Sequence, residues 1–393
     1  MRREPAVLGA WRAYRVPLLR VAVGLLSVYA ALKLGDECQR LLFDTGPDGA
    51  TDLFNFRHSV RVWFGGAPAY GQVVVYPPAS FAMLWLLVGW LDAAAARWLW
   101  ALGSAAALIW LARLLVRASG APAGPERVFV ALMPFSLNAT GVAIGNAQLV
   151  LLILPALLAS VLRLREPPSL QRDLVASALM LFALVKPSVS APFFWIAMLA
   201  PHGLRTALLT TAAYGALTAV AASYQPQDLL TLTQEWLRHG TETAALHGYA
   251  NLAIWLAQAG LKGWIVPSAL FVLAALGVWI HRQRHGDPWI TLGVTALVAR
   301  FWTYHWNYDD VLVVVPMVAL FRVARTHQSP ARALTAGVLL GLTQIVMLFP
   351  ARWELGAGQL REIYVGGHAA AWAADLMFLL ALRERKPDTD QSA

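Results

Sequence analysis

Thirteen apolar runs divide this chain, at about 17–34, 76–91, 98–116, 128–144, 147–162, 173–185, 189–201, 205–222, 264–281, 288–302, 310–324, 333–349 and 367–382. Crossing ~30 Å of hydrocarbon takes about 20 apolar residues in a helix, so runs of this kind repeated from end to end commit most of the backbone to lipid. There each helix must satisfy its own peptide N–H and C=O groups. With 58% apolar and 13% charged residues and a mean hydropathy of +0.55, the chain reads as an all-α integral membrane protein. It forms one polytopic helical bundle over residues 1–393, with no separate soluble domain. The single cysteine, Cys38, rules out an internal disulfide. The basic start "MRREPAVLGAWRAYR" leads into an apolar run that reads as a retained first helix.

Lys and Arg in short loops mark the cytoplasmic side. They cluster at Arg2, Arg3, Arg12 and Arg15, at Arg163, Arg165 and Arg172, at Arg282 and Arg284, at Arg322, Arg325 and Arg332, and at Arg383, Arg385 and Lys386. Both termini are then cytoplasmic in a cell (plasma) membrane, and the number of crossings is even, about 12 of the thirteen runs. The run set aside is 128–144, because "MPFSLNATGVAIGNAQ" carries a proline, glycines and amides, as a broken or re-entrant segment does. This choice puts 35–75, 223–262, 301–309 and 350–366 outside, where most carboxylates collect, and leaves Arg113, Arg117 and Arg127 toward the outside. Tryptophans such as Trp63, Trp90, Trp264 and Trp302 fall near helix ends, as interfacial belts require. A pI near 10.0 follows from basic loops against anionic lipid and implies no nucleic acid.

The loop after the first run is unusually polar for such a chain. In "TDLFNFRHSVRVWFGGAPAYGQVVVYPP", residues Leu53, Phe56, Val60 and Trp63 recur at helical spacing while Arg57, His58 and Arg61 fill the other faces. That pattern predicts an amphipathic surface helix, capped by Thr51 or Asp52, ended by Gly65 and Gly66, and followed by a bend at "YPP".

Four stretches, "DLFNFRHSVRVWFGGAPAYG…VYPP", "GNAQLVLLILPALL", "LFALVKPSVSAPFFW" and "YHWNYDDVLVVVP", resemble in content and order the polyprenyl-phosphate-mannose-dependent mannosyltransferases of glycosyltransferase family 87, in the GT-C superfamily. The resemblance implies a GT-C type fold with a long first external loop. It also implies an active site on the external face, a lipid-linked sugar donor, no cofactor and no metal, and a catalytic aspartate in the first external loop, here Asp52. The late motif departs from the family pattern: Asp309 and Asp310 stand where histidines are common, with His305 earlier.

Inverting transfer from a polyprenyl phosphate needs a base on the acceptor hydroxyl and donors around the departing phosphate. Asp52 suits the first task, and equally well the capping of its helix. Lys186, between two apolar runs, fits the phosphate or snorkels to the interface. Arg300 has the same two readings. His305 is a further phosphate contact or a structural histidine. Asn146 and Gln148 at a helix start suit sugar hydroxyls or capping, and Tyr76, Asn251, Asn307, Asp309 and Asp310 complete the candidate sugar and acceptor contacts. Adjacent Asp309 and Asp310 could also take a hard cation.

The expected activity is therefore transfer of a hexose, mannose foremost, from a polyprenyl-phosphate donor to an external glycolipid or glycan, with membrane lipid as the other partner. Two further readings stay open: a secondary transporter using Lys186 and the broken segment, and a carrier-binding protein or flippase that uses the same fold without transfer.

Overall fold

The computed structural model describes residues 6–382 apart from 47, 69, 71–74 and 357, and the described residues are helical, with no strand among them. The basic termini holding Arg2, Arg3, Arg383, Arg385 and Lys386, and the "GQVV" part of the first loop, lie outside the described residues.

Helix α1 (Ala6–Phe43) exposes Leu18, Val21, Leu25, Val28 and Leu32, an apolar stripe at helical spacing that faces lipid in a membrane protein. Then come α2 (Thr51–Phe64), α3 (Pro78–Leu84) continued by a π-helical turn over Trp85–Gly89, α4 (Ala93–Ser119), α5 (Pro125–Ser136) and α6 (Asn138–Gly145). The middle of the bundle is α7 (Val150–Arg163), α8 (Leu170–Ala183), α9 (Pro187–Leu199) and α10 (Leu204–Ala222). Two helices, α11 (Leu229–Leu246) and α12 (Leu252–Gln258), fill the 223–262 loop. The last third holds α13 (Ile265–Gln283), α14 (Pro288–Phe301), a 3₁₀ stretch (Asn307–Val313) running into α15 (Val314–Thr326), α16 (Pro330–Val346), α17 (Arg352–Leu355) and α18 (Gln359–Ala381). Among the described residues four helices are long and apolar enough to cross a membrane, or five if the bent pair α5–α6 counts as one span, and shorter apolar helices stand beside them.

Helix ends gather at two ends of the bundle. One end is basic: Arg322 and Arg325 donate to the carbonyls of Ala118 and Gly120, Arg322 pairs with Asp287, Arg165 reaches Gly286 O, and Arg172 donates to Glu166 O and His202 O. Arginine guanidinia thus cover the C-terminal carbonyls of α4 and its neighbours. The opposite end holds α2, the α6–α7 and α8–α9 junctions, α11, α12, the 3₁₀ stretch and α17.

The 128–144 run is broken, as its proline, glycines and amides predict, and its contacts carry it from one end of the bundle to the other, while the 76–91 run stays beside α2. Helices α5 and α6 bend by 44° yet run parallel to α1: Asn138 bonds Tyr29, Gly141 lies on Lys33 and Gly145 on Glu37 and Arg40. At its start Glu126 pairs with Arg325 at the basic end, and at its finish Gly145 O accepts from Ala50 N, so the pair passes from end to end. The α3–π segment instead begins and ends beside α2. Tyr76 lies within electrostatic reach of Asp52, whereas Leu91 O accepts from Arg57 (2.8 Å) and Arg61 (3.1 Å). At 1.5 Å per residue it is about 18 Å long, too short to cross and return. Gly89 permits its π turn, since a Cβ there would sit 2.5 Å from the Trp85 ring. Arg117, in the last turn of α4, and Arg127, which donates to Ala121 O, stand at the basic end.

The α2 stripe is as the spacing predicts. Leu53, Phe56, Val60 and Trp63 are buried, with Trp63 stacked on Phe81 at 4.1 Å. Arg57 is buried too, against the expectation that it fills an open face.

Candidate active site

The start of α2 docks on the end of α6. Ala50, in the left-handed region (φ 53°), donates its N–H to Gly145 O at 3.1 Å, and Asp52 N–H reaches Asn146 O at 3.1 Å. Free donors of one helix start thus meet free carbonyls of another helix end. No side chain caps α2. The N-cap position falls on Ala50 instead of Thr51 or Asp52, and the Asp52 carboxylate is directed to Gln148. It accepts a hydrogen bond from the Gln148 amide. Burial pushes the Asp52 carboxyl above its ordinary value, against the opposing pull of that amide and of the Lys186 charge.

Glycines allow the docking. A Cβ on Gly145 would come 2.0 Å from Glu37 Oε2 and 2.2 Å from the Arg40 guanidinium, and one on Gly141 would come 2.7 Å from Lys33 Cε. These three charged residues are themselves joined, Glu37 accepting from Lys33 at 2.6 Å and from Arg40 at 2.7 Å.

Gln148 follows Ala147, whose φ of 59° turns the chain between α6 and α7. Its Oε1 accepts from Lys186 Nζ at 3.4 Å. Lys186 stands at the N-cap of α9, buried, with its ammonium 2.5 Å from Asp309 Oδ1 and 4.8 Å from the centre of the Tyr308 ring. It does not snorkel. The other oxygen of Asp309 lies 3.1 Å from His305 Nδ1, and His305 Nε2 is buried without a protein partner. Five side chains from four separate parts of the chain thus form one polar line: Asp52, Gln148, Lys186, Asp309 and His305. Tyr76 lies within electrostatic reach of both carboxylates of the line and packs its ring 5.9 Å from Phe56.

Asp310 turns away from Asp309 because successive residues of a 3₁₀ helix point about 120° apart. It pairs with Arg300 at 2.5 Å and accepts from the Tyr249 hydroxyl. Arg300 is fully buried, its guanidinium lying 4.7 Å from the Tyr249 ring centre and 4.6 Å from that of Trp372. Each of the paired aspartates is thereby neutralised by its own cation. Among the described residues no group of three or more His, Cys, Asp or Glu is arranged to hold a metal ion. Asn307 donates to Glu354 Oε2 at 2.8 Å. Burial, with the nearby Asp310 charge, pushes Glu354 up to about 7.

The remaining candidates have local bonds. Asn251 caps α12, accepting from Ile254 N at 3.0 Å and donating to Tyr249 O at 3.3 Å, while Asn146 contributes its backbone carbonyl to the α2 junction. Tyr249 is a site neighbour that the sequence reading passed over, and Tyr308, in the crowded "YHWNYDD" stretch, and Glu354, among the external carboxylates, are contacts it did not single out. The signals were a tyrosine two residues before Asn251, a tyrosine next to Asp309, and a carboxylate alone among apolar residues in "RWELG".

The fold is that of a helical membrane protein with a buried ionic centre at one end of its bundle. The chain matches the model of Glycosyltransferase family 87 over residues 75–304, more than half of its length, and belongs to that family. It is a membrane glycosyltransferase. The matched stretch takes in Tyr76, Asn146, Gln148, Lys186, Asn251 and Arg300. Asp52 precedes it, and His305, Asn307, Asp309 and Asp310 follow it. Comparison with curated proteins gave no match.

Proposed function

We propose that the enzyme transfers a hexose, mannose foremost, from a polyprenyl-phosphate donor to a glycolipid or glycan at the external face of the cell membrane, with inversion. The acceptor hydroxyl oxygen attacks the anomeric carbon as its proton passes to Asp52. The bond from that carbon to the phosphate oxygen breaks, and the electron pair leaves with the polyprenyl phosphate. Lys186 and His305 steady the charge that grows there. Tyr76, Gln148 and Asn307 line the sugar side. Arg300 and Asp310 form the buried pair that holds the 3₁₀ stretch in place.

The observation that carries this reading is the single line of contacts from Asp52 through Gln148 to Lys186. It couples a carboxylate freed from capping to a buried cation, the base and the phosphate group that such a transfer needs. Its topology is twelve crossings, made by α1, α4, the α5–α6 pair, α7 to α10, α13 to α16, and α18. The basic end is then cytoplasmic under the positive-inside rule, and the polar line external.

The test follows radiolabelled sugar from synthetic polyprenyl phosphohexoses, mannose first, into lipid and glycan fractions, using purified wild type and Asp52→Asn. Transfer by wild type alone supports the reading. Transfer by both moves the base elsewhere, and donor binding without transfer by either makes the protein a carrier binder.

A further inference from the structure

Asp309 is shared by two nitrogen donors, Lys186 Nζ at 2.5 Å and His305 Nδ1 at 3.1 Å, and all three side chains are buried. A carboxylate on Nδ1 fixes the neutral imidazole with its proton on that nitrogen. Nε2 is then a bare lone pair, and it is buried with no protein partner. The backbone around the ring is tight: a Cβ on Gly248, at φ 87°, would lie 2.5 Å from His305 O. The charged groups acting on His305 are Asp309 from the 3₁₀ stretch, Arg300 from α14 and Lys186 from the α8–α9 junction. His247, at the end of α11, stacks on Trp306 next door.

The charges along the polar line do not balance. Asp52 and Asp309 are opposed by Lys186 alone, because Arg300 is occupied by Asp310. With His305 neutral the line carries one net negative charge. A donor phosphodiester adds a second, and an uncompensated charge in a buried site is strongly disfavoured. Asp52 must stay ionised to serve as base. The group able to take a compensating proton is therefore His305, through Nε2, with the resulting imidazolium held against Asp309.

We infer that donor binding carries one proton into the site, onto His305, and that Asp309 is the positioning residue which makes this possible. This rests on the proposed donor class, and it reassigns Asp309 from contacting sugar to holding Lys186 and His305 in place for the phosphate. Removing the Asp309 charge would leave the line neutral before the donor enters, so no proton would be needed.

The experiment is titration calorimetry of the full chain in nanodiscs with farnesyl phosphohexoses, phosphodiesters that do not titrate near neutral pH. Measurements are made without acceptor and in two buffers of different ionisation enthalpy. Wild type is expected to take up close to one proton per donor above neutral pH, with Kd rising about tenfold per pH unit there. His305→Gln, which keeps an amide N–H for Asp309, should bind with no proton uptake and a flat pH dependence, and Asp309→Asn should do the same. Binding by wild type with no uptake, or uptake retained in His305→Gln, overturns the inference while leaving the donor class standing. If wild type binds none of the phosphohexoses, the inference and the donor class both fall.

Discussion

Lys186 Nζ lies 2.5 Å from Asp309 Oδ1 across 123 residues of sequence, with both side chains buried. A pair in that setting stabilises little relative to apolar packing, but breaking one half of it leaves a bare buried charge, at a cost of about 3–5 kcal/mol. Lys186→Met should therefore abolish transfer and lower the unfolding temperature in detergent. The double variant Lys186→Met with Asp309→Leu should recover most of that temperature and none of the activity. If the double variant is as unstable as the single one, the loss does not come from an unpaired buried charge.

Asp52→Asn should separate activity from stability. Burial is the main cause holding the Asp52 carboxyl above its ordinary value. A raised carboxyl contributes stability at low pH and loses it as pH rises through its folded-state pKa, so ionisation at neutral pH works against the fold. The asparagine variant is expected to unfold at the same or a higher temperature at neutral pH while losing transfer. In wild type kcat should fall on the acid side, with its midpoint above the usual aspartate range, as the base becomes protonated. A midpoint at or below that range would show that Asp52 is not the group titrating.

What the sequence made legible follows from contrast. In a chain poor in charge, Asp52, Lys186, His305, Asp309 and Arg300 stood out, and these are residues whose buried contacts build the two ionic groups. The apolar stripe of α2 was legible because four residues at helical spacing define one face. How the 76–91 and 128–144 runs lie along the bundle was not, since both are apolar. The decision rests on where Leu91 and Gly145 find hydrogen-bond partners, which is tertiary information. The capping of α2 was misread for the same reason. Carbonyls from α6, nearly a hundred residues on, took the place a side chain would have filled. Nothing local announced that Asp309 and Asp310 would face different partners, because that depends on a 3₁₀ rather than an α-helical turn.

Gly145→Ala tests the junction beneath Asp52. The added methyl would enter space held by Glu37 Oε2 and the Arg40 guanidinium. Their paired tips would have to move, or α6 would have to shift away from α1. A shift of α6 carries the Gly145 and Asn146 carbonyls with it, and those position the start of α2. Activity is expected to drop about tenfold or more while donor binding changes little, since reacting groups tolerate displacements of well under 1 Å. Adding Glu37→Ala should restore part of the rate by vacating the contested space. A fully active Gly145→Ala enzyme would mean that α2 is positioned by other contacts.

Glu354 gives a pH signature at the same end of the bundle. Its carboxyl is pushed up to about 7, by burial first and then by the Asp310 charge, while Asn307 holds one oxygen at 2.8 Å. Because the folded-state value is above the ordinary one of 4.5, its contribution to stability is complete below that ordinary value and is lost as pH rises through about 7. Wild type should therefore lose unfolding temperature between mildly acidic and mildly alkaline pH more steeply than Glu354→Gln, whose amide stays neutral throughout. The measurement is a series of thermal melts of both proteins across that range in one detergent. Parallel curves would place the titration elsewhere. A flatter curve for the glutamine variant, with melting temperatures that converge at low pH, would assign it to Glu354 and to its burial in α17 against the 3₁₀ stretch.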